Sequence, residues 1–348
     1  MSESTPPDAS SALSVPCLRI REPGAPHVLT PSEVILPPPP YGHVRVRIAA
    51  SGVNRADLLQ RQGRYPVPAG FPEDLPGLEF AGEVEAVGEG CFVRRIGDPV
   101  MGILGGGGYA AAVNVPERET IRIPKEMDPV TAGAIPEVFV TAWDALEGQA
   151  GLRAGETVLI HAVGSGVGTA ALQLAVGAGA RVMGTSRTPE KVAAAQELGL
   201  HEGILASSSA PDGWADEVLA RTGGRGVDVI LDLVGGAYLA GNLRVLATKA
   251  RWVVVGVPGG GQANLDLRRL MTRRAHLMGT VLRARAPEEK ALLARAFETR
   301  VISRFEVGAG SGRLRPVVDT VLSWRDGADA HRRLEANDTF GKMLLRWE

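Results

Sequence analysis

The sequence predicts an α/β protein made of two parts, a doubly wound parallel sheet and a small all-β, barrel-like domain. Three observations predict it. An apolar run, a glycine turn and a helical pattern follow one another through ETVLIHAVGSGVGT (156–169) and ALQLAVGAGA. Further strand-like runs then alternate with helical patterns as far as Val257. Before Pro124, short strands are instead separated by Gly/Pro turns, the pattern of an all-β domain.

In chain order, residues 1–13 are rich in Ser and Pro, without the basic start and apolar centre of a secretory signal, and read as a disordered tail. Strands are expected at 17–21 and 44–50, joined through the stiff run Pro37–Pro40. VRVRIAA (44–50) alternates apolar and basic residues, as a half-exposed strand does. Asn54 is placed to cap a short helix from Arg55. GLEFAGEVEAVG (77–88) leads to a turn at Gly97, and Gly105–Gly108 reads as a loop. A helical pattern at 128–145, broken by Pro136, marks the passage between domains. Alternation stops after Leu282. PEEKALLARAFET then reads as a helix with Pro and acids in its first turn. Strands at 314–321 and 342–347, with a helix near 326–335, are expected to rejoin the β domain.

Bulk properties exclude several classes. The 348 residues suffice for two cores, and 45% apolar with 22% charged residues is globular composition. A net charge of −1 implies no bulk attraction to nucleic acid or to a membrane surface. No apolar run reaches the length of a membrane span. Only Cys17 and Cys91 are present, which excludes a disulfide framework and a four-cysteine zinc lobe and suits a reducing cytoplasm. The six histidines show no ligand spacing.

Strand, glycine turn and helix open a dinucleotide-binding βαβ unit. Glycines allow a tight turn and a close approach to pyrophosphate, and the helix N-terminus receives the negative charge. Gly164, Gly166 and Gly168 give G-x-G-x-G rather than the strict fingerprint. The next strand ends RVMGTSR (181–187), without the acid that accepts ribose hydroxyls and repels a 2′-phosphate. Ser186 can donate a hydrogen bond, and Arg187 and Lys191 can supply positive charge, so NADPH is expected over NADH. Either cation alone reads equally well as part of an exposed helix face.

GVNRADLLQRQGRY, LPGLEFAGEVEAVG, AIPEVFVTAWDAL, VLIHAVGSGVGTAALQLA, LDLVGG and NDTFGKMLL together resemble the medium-chain dehydrogenase/reductase superfamily. Within it the chain resembles the zinc-independent, zeta-crystallin-like NADPH:quinone oxidoreductases. The tumour-suppressor-induced branch is the most similar, through NRADLLQRQG, the serine-glycine turn and Gly259–Gly261. The resemblance implies a GroES-like domain (14–133 and 284–348), a Rossmann domain (134–283) and a homodimer. It implies Ser165, Gly166 and Val167 at the pyrophosphate, and Asn54 and Thr141 near the nicotinamide. Val255, Gly256, Val257 and Leu282 are expected there too. Asn54 and Tyr65 are the catalytic candidates, because the tyrosine many quinone reductases carry five residues after the Asn is Leu59 here. The zinc-ligand positions of related alcohol dehydrogenases hold no Cys near 51–54 and Leu78 in place of His, so no metal is expected. A tyrosine that relatives stack on the adenine side is missing from ILASS (204–208), where Ala206 stands. The expected activity is hydride transfer from NADPH to a small quinone or activated alkene, with no evident proton donor; solvent protons would suffice. An enoyl or alkenal reductase and a non-enzymatic NADPH-binding protein remain the alternatives.

Overall fold

The computed structural model describes residues 12–207, 212–306 and 312–348. The chain divides into two units. One takes the described residues within Met1–Val140, Leu282–Ala309 and Val318–Glu348; the other takes Thr141–Val281 and those within Gly310–Val317. The tail expected over 1–13 falls mostly outside the described residues, and Leu13 is already in a strand, paired with Leu36.

In the first unit, β1 (Leu13–Ile20) and β2 (Leu29–Leu36) form an antiparallel hairpin. The chain continues through β3 (His43–Gly52), β4 (Glu79–Val87), β5 (Pro99–Ile103), β6 (Ala112–Pro116) and β7 (Thr120–Arg122). In the second unit, β8 (Thr157–Ile160), β9 (Arg181–Ser186), β10 (Glu202–Leu205), β11 (Val227–Asp232), β12 (Leu246–Val254) and β13 (His276–Gly279) form one sheet. The chain then returns with β14 (Val318–Ser323) and β15 (Lys342–Arg346), giving the order β14-β15-β3-β4-β5-β7 with β6 on β3. Leu18, Val46, Phe80, Val100, Tyr109 and Leu345 are among the side chains of this unit's core. β3 follows its alternation at Arg47, which is exposed between buried Val46 and Ile48, but not at Arg45. Arg45 is buried, and its guanidinium donates to Pro37 O at 2.7 Å, which satisfies a charge the pattern placed in water.

The second unit's sheet is parallel throughout, in the order β10-β9-β8-β11-β12-β13. β8, β9 and β10 step outward on one side, and β11, β12 and β13 on the other. The order therefore reverses between β8 and β11, at whose carboxyl ends ligands bind in open sheets. Leu159, Met183, Ile230 and Trp252 fill the sheet's core against Trp214. β2, β6, β7, β10 and β13 were not anticipated. No helix among the described residues is long and apolar enough to cross a membrane.

Candidate functional site: a helix start at the switch point and a buried ion cluster

The helix Gly166–Gly177 begins directly beyond β8. Ser165 is its N-cap in extended conformation, and its Oγ accepts the Gly168 N–H at 3.1 Å. The N–H groups of Gly166 and Val167 lie in the first turn, where a helix has no partner of its own to offer. None of the three glycines has a positive φ. The left-handed residue of the turn is Ala162, at φ 47°. Gly168 is required for closeness: a Cβ there would lie 2.7 Å from the Val163 carbonyl oxygen and nearer still to that of Ala162. Gly166 is therefore not a backbone requirement, and the argument for its small size rests on space for the ligand alone.

The remaining cofactor candidates of this unit gather at strand ends. Ser186 ends β9 and is nearly buried, while Arg187 follows it and is exposed. Lys191 is in the helix Pro189–Glu197 and is engaged in an interaction of its own. Val255, Gly256 and Val257 follow β12, with the Val255 N–H held by Asp232 O at 2.8 Å and Val257 half-exposed. Thr141 is nearly buried in the helix Pro136–Trp143. Tyr238, a residue the sequence did not single out, ends the 3-10 turn Gly236–Tyr238 and comes within charge reach of Arg187.

A buried network stiffens the strand ends. His161 Nε2–H donates to Asn242 Oδ1 at 2.7 Å, and the Asn242 amide donates to Asp232 Oδ2 at 3.0 Å. Asp232 Oδ1 takes the N–H groups of Val234 and Gly235 at 2.9 and 2.8 Å. With its other ring nitrogen on the Thr185 hydroxyl, His161 is a neutral core histidine, and burial lowers its pKa.

The first unit contains a cluster of charge that the sequence concealed. Lys342, on β15, directs its ammonium onto three oxygens: Glu79 Oε1 at 2.6 Å, Asn54 Oδ1 at 2.7 Å and Val53 O at 3.1 Å. Glu79 is fully buried. Its Oε1 also accepts from Asn54 Nδ2 at 2.8 Å, and its Oε2 from the Glu137 N–H at 2.8 Å. Gly52 makes room, since a Cβ there would fall onto the Glu79 carboxylate and lie 3.0 Å from Lys342 Cε. Asn54 does occupy the N-cap position of the helix Arg55–Arg61. Its side chain turns away into this cluster, and the Asp57 carboxylate accepts the Asn54 N–H instead, at 2.8 Å.

The cluster extends inward. Asp57 also accepts from the Gly77 N–H at 3.1 Å and the Tyr109 hydroxyl at 3.2 Å, and burial pushes its pKa up to about 6. Beyond Tyr109 is His331, whose other nitrogen accepts an N–H of Arg61 at 3.2 Å. Burial first, then the Arg61 charge, lowers its pKa to about 3, so the ring is neutral. On the other side, Glu137 begins the helix Pro136–Trp143 and keeps a small exposure. Desolvation, with the like charge of Glu79, pushes its pKa up to about 8. Its carboxyl feels the charges of Lys342, Asp57 and Arg283, and burial first, then the Glu137 charge, raises the pKa of Tyr65.

Tyr65 is half-buried in a loop, with the Arg283 Cζ 5.0 Å from its ring centroid. Arg283 is buried, donating to Gly105 O and Gln60 Oε1, both at 2.7 Å, while its Nη1 has no partner among the described residues. The neighbouring Leu282 is buried beside Ile103, Ile121 and Val140. Together these residues line a small apolar cavity. Sequence reasoning found Asn54 and Tyr65 but missed Glu79, Glu137, Arg283 and Lys342.

These residues do not suit zinc. Leu78 is buried and apolar, and the oxygens beside it already hold an ammonium. Among the described residues no group of three or more His, Cys, Asp or Glu side chains is placed to hold a metal ion.

Comparison with known proteins supplies the family. Residues 40–125 match the alcohol dehydrogenase GroES-like domain, and residues 166–298 match the family described as zinc-binding dehydrogenase. The quinone oxidoreductase of Lama guanicoe is 31% identical over 331 residues, covering 94% of this chain and 96% of that one. The phthioceranic/hydroxyphthioceranic acid synthase of Mycobacterium tuberculosis is 37% identical over 239 residues, 69% of this chain. The matched part is 11% of that synthase's own length. Among solved structures, the JamJ enoyl reductase superposes with a TM-score of 0.83 at 27% identity, covering 95% of this chain and 99% of that one. A mycobacterial protein complexed with NADPH gives a TM-score of 0.82 at 26% identity, covering 95% and 100%. With a GroES-like unit, a Rossmann-type parallel sheet and a quinone oxidoreductase matched almost end to end, the chain belongs to the medium-chain dehydrogenase/reductase superfamily of oxidoreductases.

Proposed function

We propose that this protein is a zinc-independent, NADPH-dependent reductase of small quinones. The observation that carries the reading is the helix start beyond β8, with two first-turn N–H groups and a capping serine at the sheet's switch point. Ser165, Gly166 and Val167 would hold the pyrophosphate. Ser186, Arg187 and Lys191 would receive the 2′-phosphate, which no acid at the end of β9 repels. Thr141, Val255, Gly256 and Val257 would serve the nicotinamide end. When bound, reduced nicotinamide supplies a hydride. The protein's own part is to orient the partners and exclude water. Asn54 has both ends of its amide committed to Glu79, Lys342 and Gly52, so its part is to position that cluster. Tyr65 is the polar group left for the substrate.

A second reading, reduction of an enoyl or alkenal carbon–carbon double bond, is favoured by the JamJ enoyl reductase as a structural neighbour. A panel of 1,2-naphthoquinone, 1,4-benzoquinone and a 2-alkenal, followed by NADPH oxidation and set beside NADPH binding by fluorescence, separates the readings. Quinone turnover well above alkenal turnover is expected. The reverse order selects the second reading, and tight NADPH binding without turnover selects a non-enzymatic role. Stoichiometric zinc whose removal abolishes turnover would overturn the zinc-independent assignment.

A further inference from the structure

Reduction of a quinone needs a proton as well as a hydride, and the buried cluster of the first unit holds a group suited to give it. We propose that Glu137 is the proton donor of this reaction, delivering its carboxyl proton to the substrate oxygen beside Tyr65 and Arg283.

Four features support this, and the inference rests on the reductase reading above. First, Glu137 is fixed through its own backbone, whose N–H is bonded to Glu79 Oε2 at 2.8 Å. Its carboxyl takes part in no hydrogen bond among the described residues and keeps a small exposure. Second, charged and titratable groups act on it from several elements of the unit. Glu79 on β4 and Asp57 on the helix Arg55–Arg61 repel an ionised Glu137. Lys342 on β15 and Arg283 attract it, and its own charge acts on Tyr65. The Lys342 ammonium, shared among Glu79, Asn54 and Val53, attracts it without outweighing burial and the like charge of Glu79. The outcome is a carboxyl that stays neutral to about pH 8. Third, that value suits the task. A hydroquinone oxygen is phenol-like, with a pKa of about 10. A donor near 8 is protonated at neutral pH and gives its proton downhill, whereas an ordinary carboxyl near 4 would already be ionised. Fourth, Arg283, whose Cζ lies 5.0 Å from the Tyr65 ring centroid, has a buried Nη1 without a partner among the described residues, a donor in reserve for negative charge developing on an oxygen at this place.

The step balances. Reduced nicotinamide is the two-electron reductant. Hydride addition turns the quinone into a hydroquinone monoanion. The Glu137 O–H bond breaks as a new O–H bond forms on the substrate oxygen. Glu137 is left as a carboxylate and recovers its proton from water.

The test uses the whole protein. In the cofactor-free form, difference infrared spectroscopy should show a protonated carboxyl band that disappears near pH 8 and is missing from Glu137→Gln. In steady state with 1,2-naphthoquinone, kcat/KM of the unmodified protein should be level below about pH 8 and fall above it. Glu137→Gln should lower kcat/KM by about 10²–10⁴-fold. The variant should lose the alkaline fall and keep the Kd for NADPH, while Glu137→Asp, which retains an acid, should recover part of the rate. A merely structural role for Glu137 would not move the pH profile. An active wild type whose Glu137→Gln variant keeps both rate and profile overturns this assignment alone, as does a carboxyl band that titrates near pH 4. A wild type that binds NADPH but reduces neither quinones nor alkenals overturns the reductase reading, and this assignment with it.

Discussion

Lys342→Met tests the buried ion cluster most directly. Methionine keeps most of the aliphatic stem that packs on Gly52 but removes the ammonium from Glu79 Oε1, Asn54 Oδ1 and Val53 O. Glu79, fully buried, is then left with the Asn54 amide and the Glu137 N–H and no positive charge. Removing one partner of a buried pair costs about 3–5 kcal/mol, because the other charge stays desolvated. At about 2–4 °C per kcal/mol for a unit of this size class, the melting transition of the first unit should fall by roughly 6–20 °C. Glu79→Gln/Lys342→Met removes both charges together, and replacement of a whole buried pair is often neutral. The double variant should therefore be more stable than Lys342→Met alone by about 2 kcal/mol or more, a coupling read from a double-mutant cycle in urea. A loss below about 1 kcal/mol in the single variant, or strictly additive costs, would refute the reasoning. The same variant removes an attraction that holds the Glu137 pKa down, so the alkaline limb of activity should move to higher pH.

Three further outcomes are expected. Gly168→Ala should disturb the packing of the helix Gly166–Gly177 on β8 and lower thermal stability, whereas Gly166→Ala should keep the melting temperature and weaken NADPH binding in fluorescence titrations. Equal effects of the two on both readouts would contradict the roles assigned to the turn. Replacing Arg187 and Lys191 together by Ala should raise the Kd for NADPH and barely change that for NADH; tighter NADH binding by the unmodified protein would count against the phosphate site. β13 ends its sheet beside exposed Leu267, Met271 and Leu277, and we propose that this edge pairs two copies of the chain. Leu277→Asp with Met271→Asp should convert a dimer to a monomer in analytical ultracentrifugation, and a monomeric wild type would dismiss the proposal.

The second unit was largely legible because its signals are local. An apolar run, a turn and a 3.6-residue pattern recur at β8, β9 and β11, each within about a dozen residues, and parallel strands buried on both faces carry no ambiguity of register. The elements that were missed carry weak local signals. β2 contains Pro31 and Glu33, and β13 is only HLMG at an exposed edge, so neither has the uninterrupted apolar run of a central strand. The glycine turn was legible as a turn, but not for the reason its glycines suggested. The left-handed position fell on Ala162, and Gly168 is small so that the helix can approach the Ala162 and Val163 carbonyls.

The first unit's site was concealed for a different reason. Lys342 and Glu79 are 263 positions apart, and each looks like an ordinary surface charge in its own segment. β15 offers no help, since Lys342, Met343, Leu344 and Leu345 are all buried and the two-residue alternation that marks a solvent-facing lysine is lost. What defines the cluster is mutual satisfaction. Asn54 gives up its capping role because Glu79 and Lys342 use both ends of its amide, and Asp57 takes over the N–H that Asn54 leaves. Glu137 follows from the same arrangement. Its backbone N–H helps satisfy Glu79, and its carboxyl is raised to a pKa of about 8 by desolvation first and then by the like charge of Glu79. A sequence lists the donors and acceptors of such a network but not their pairing, and here the pairing decides which carboxyl has a proton to give.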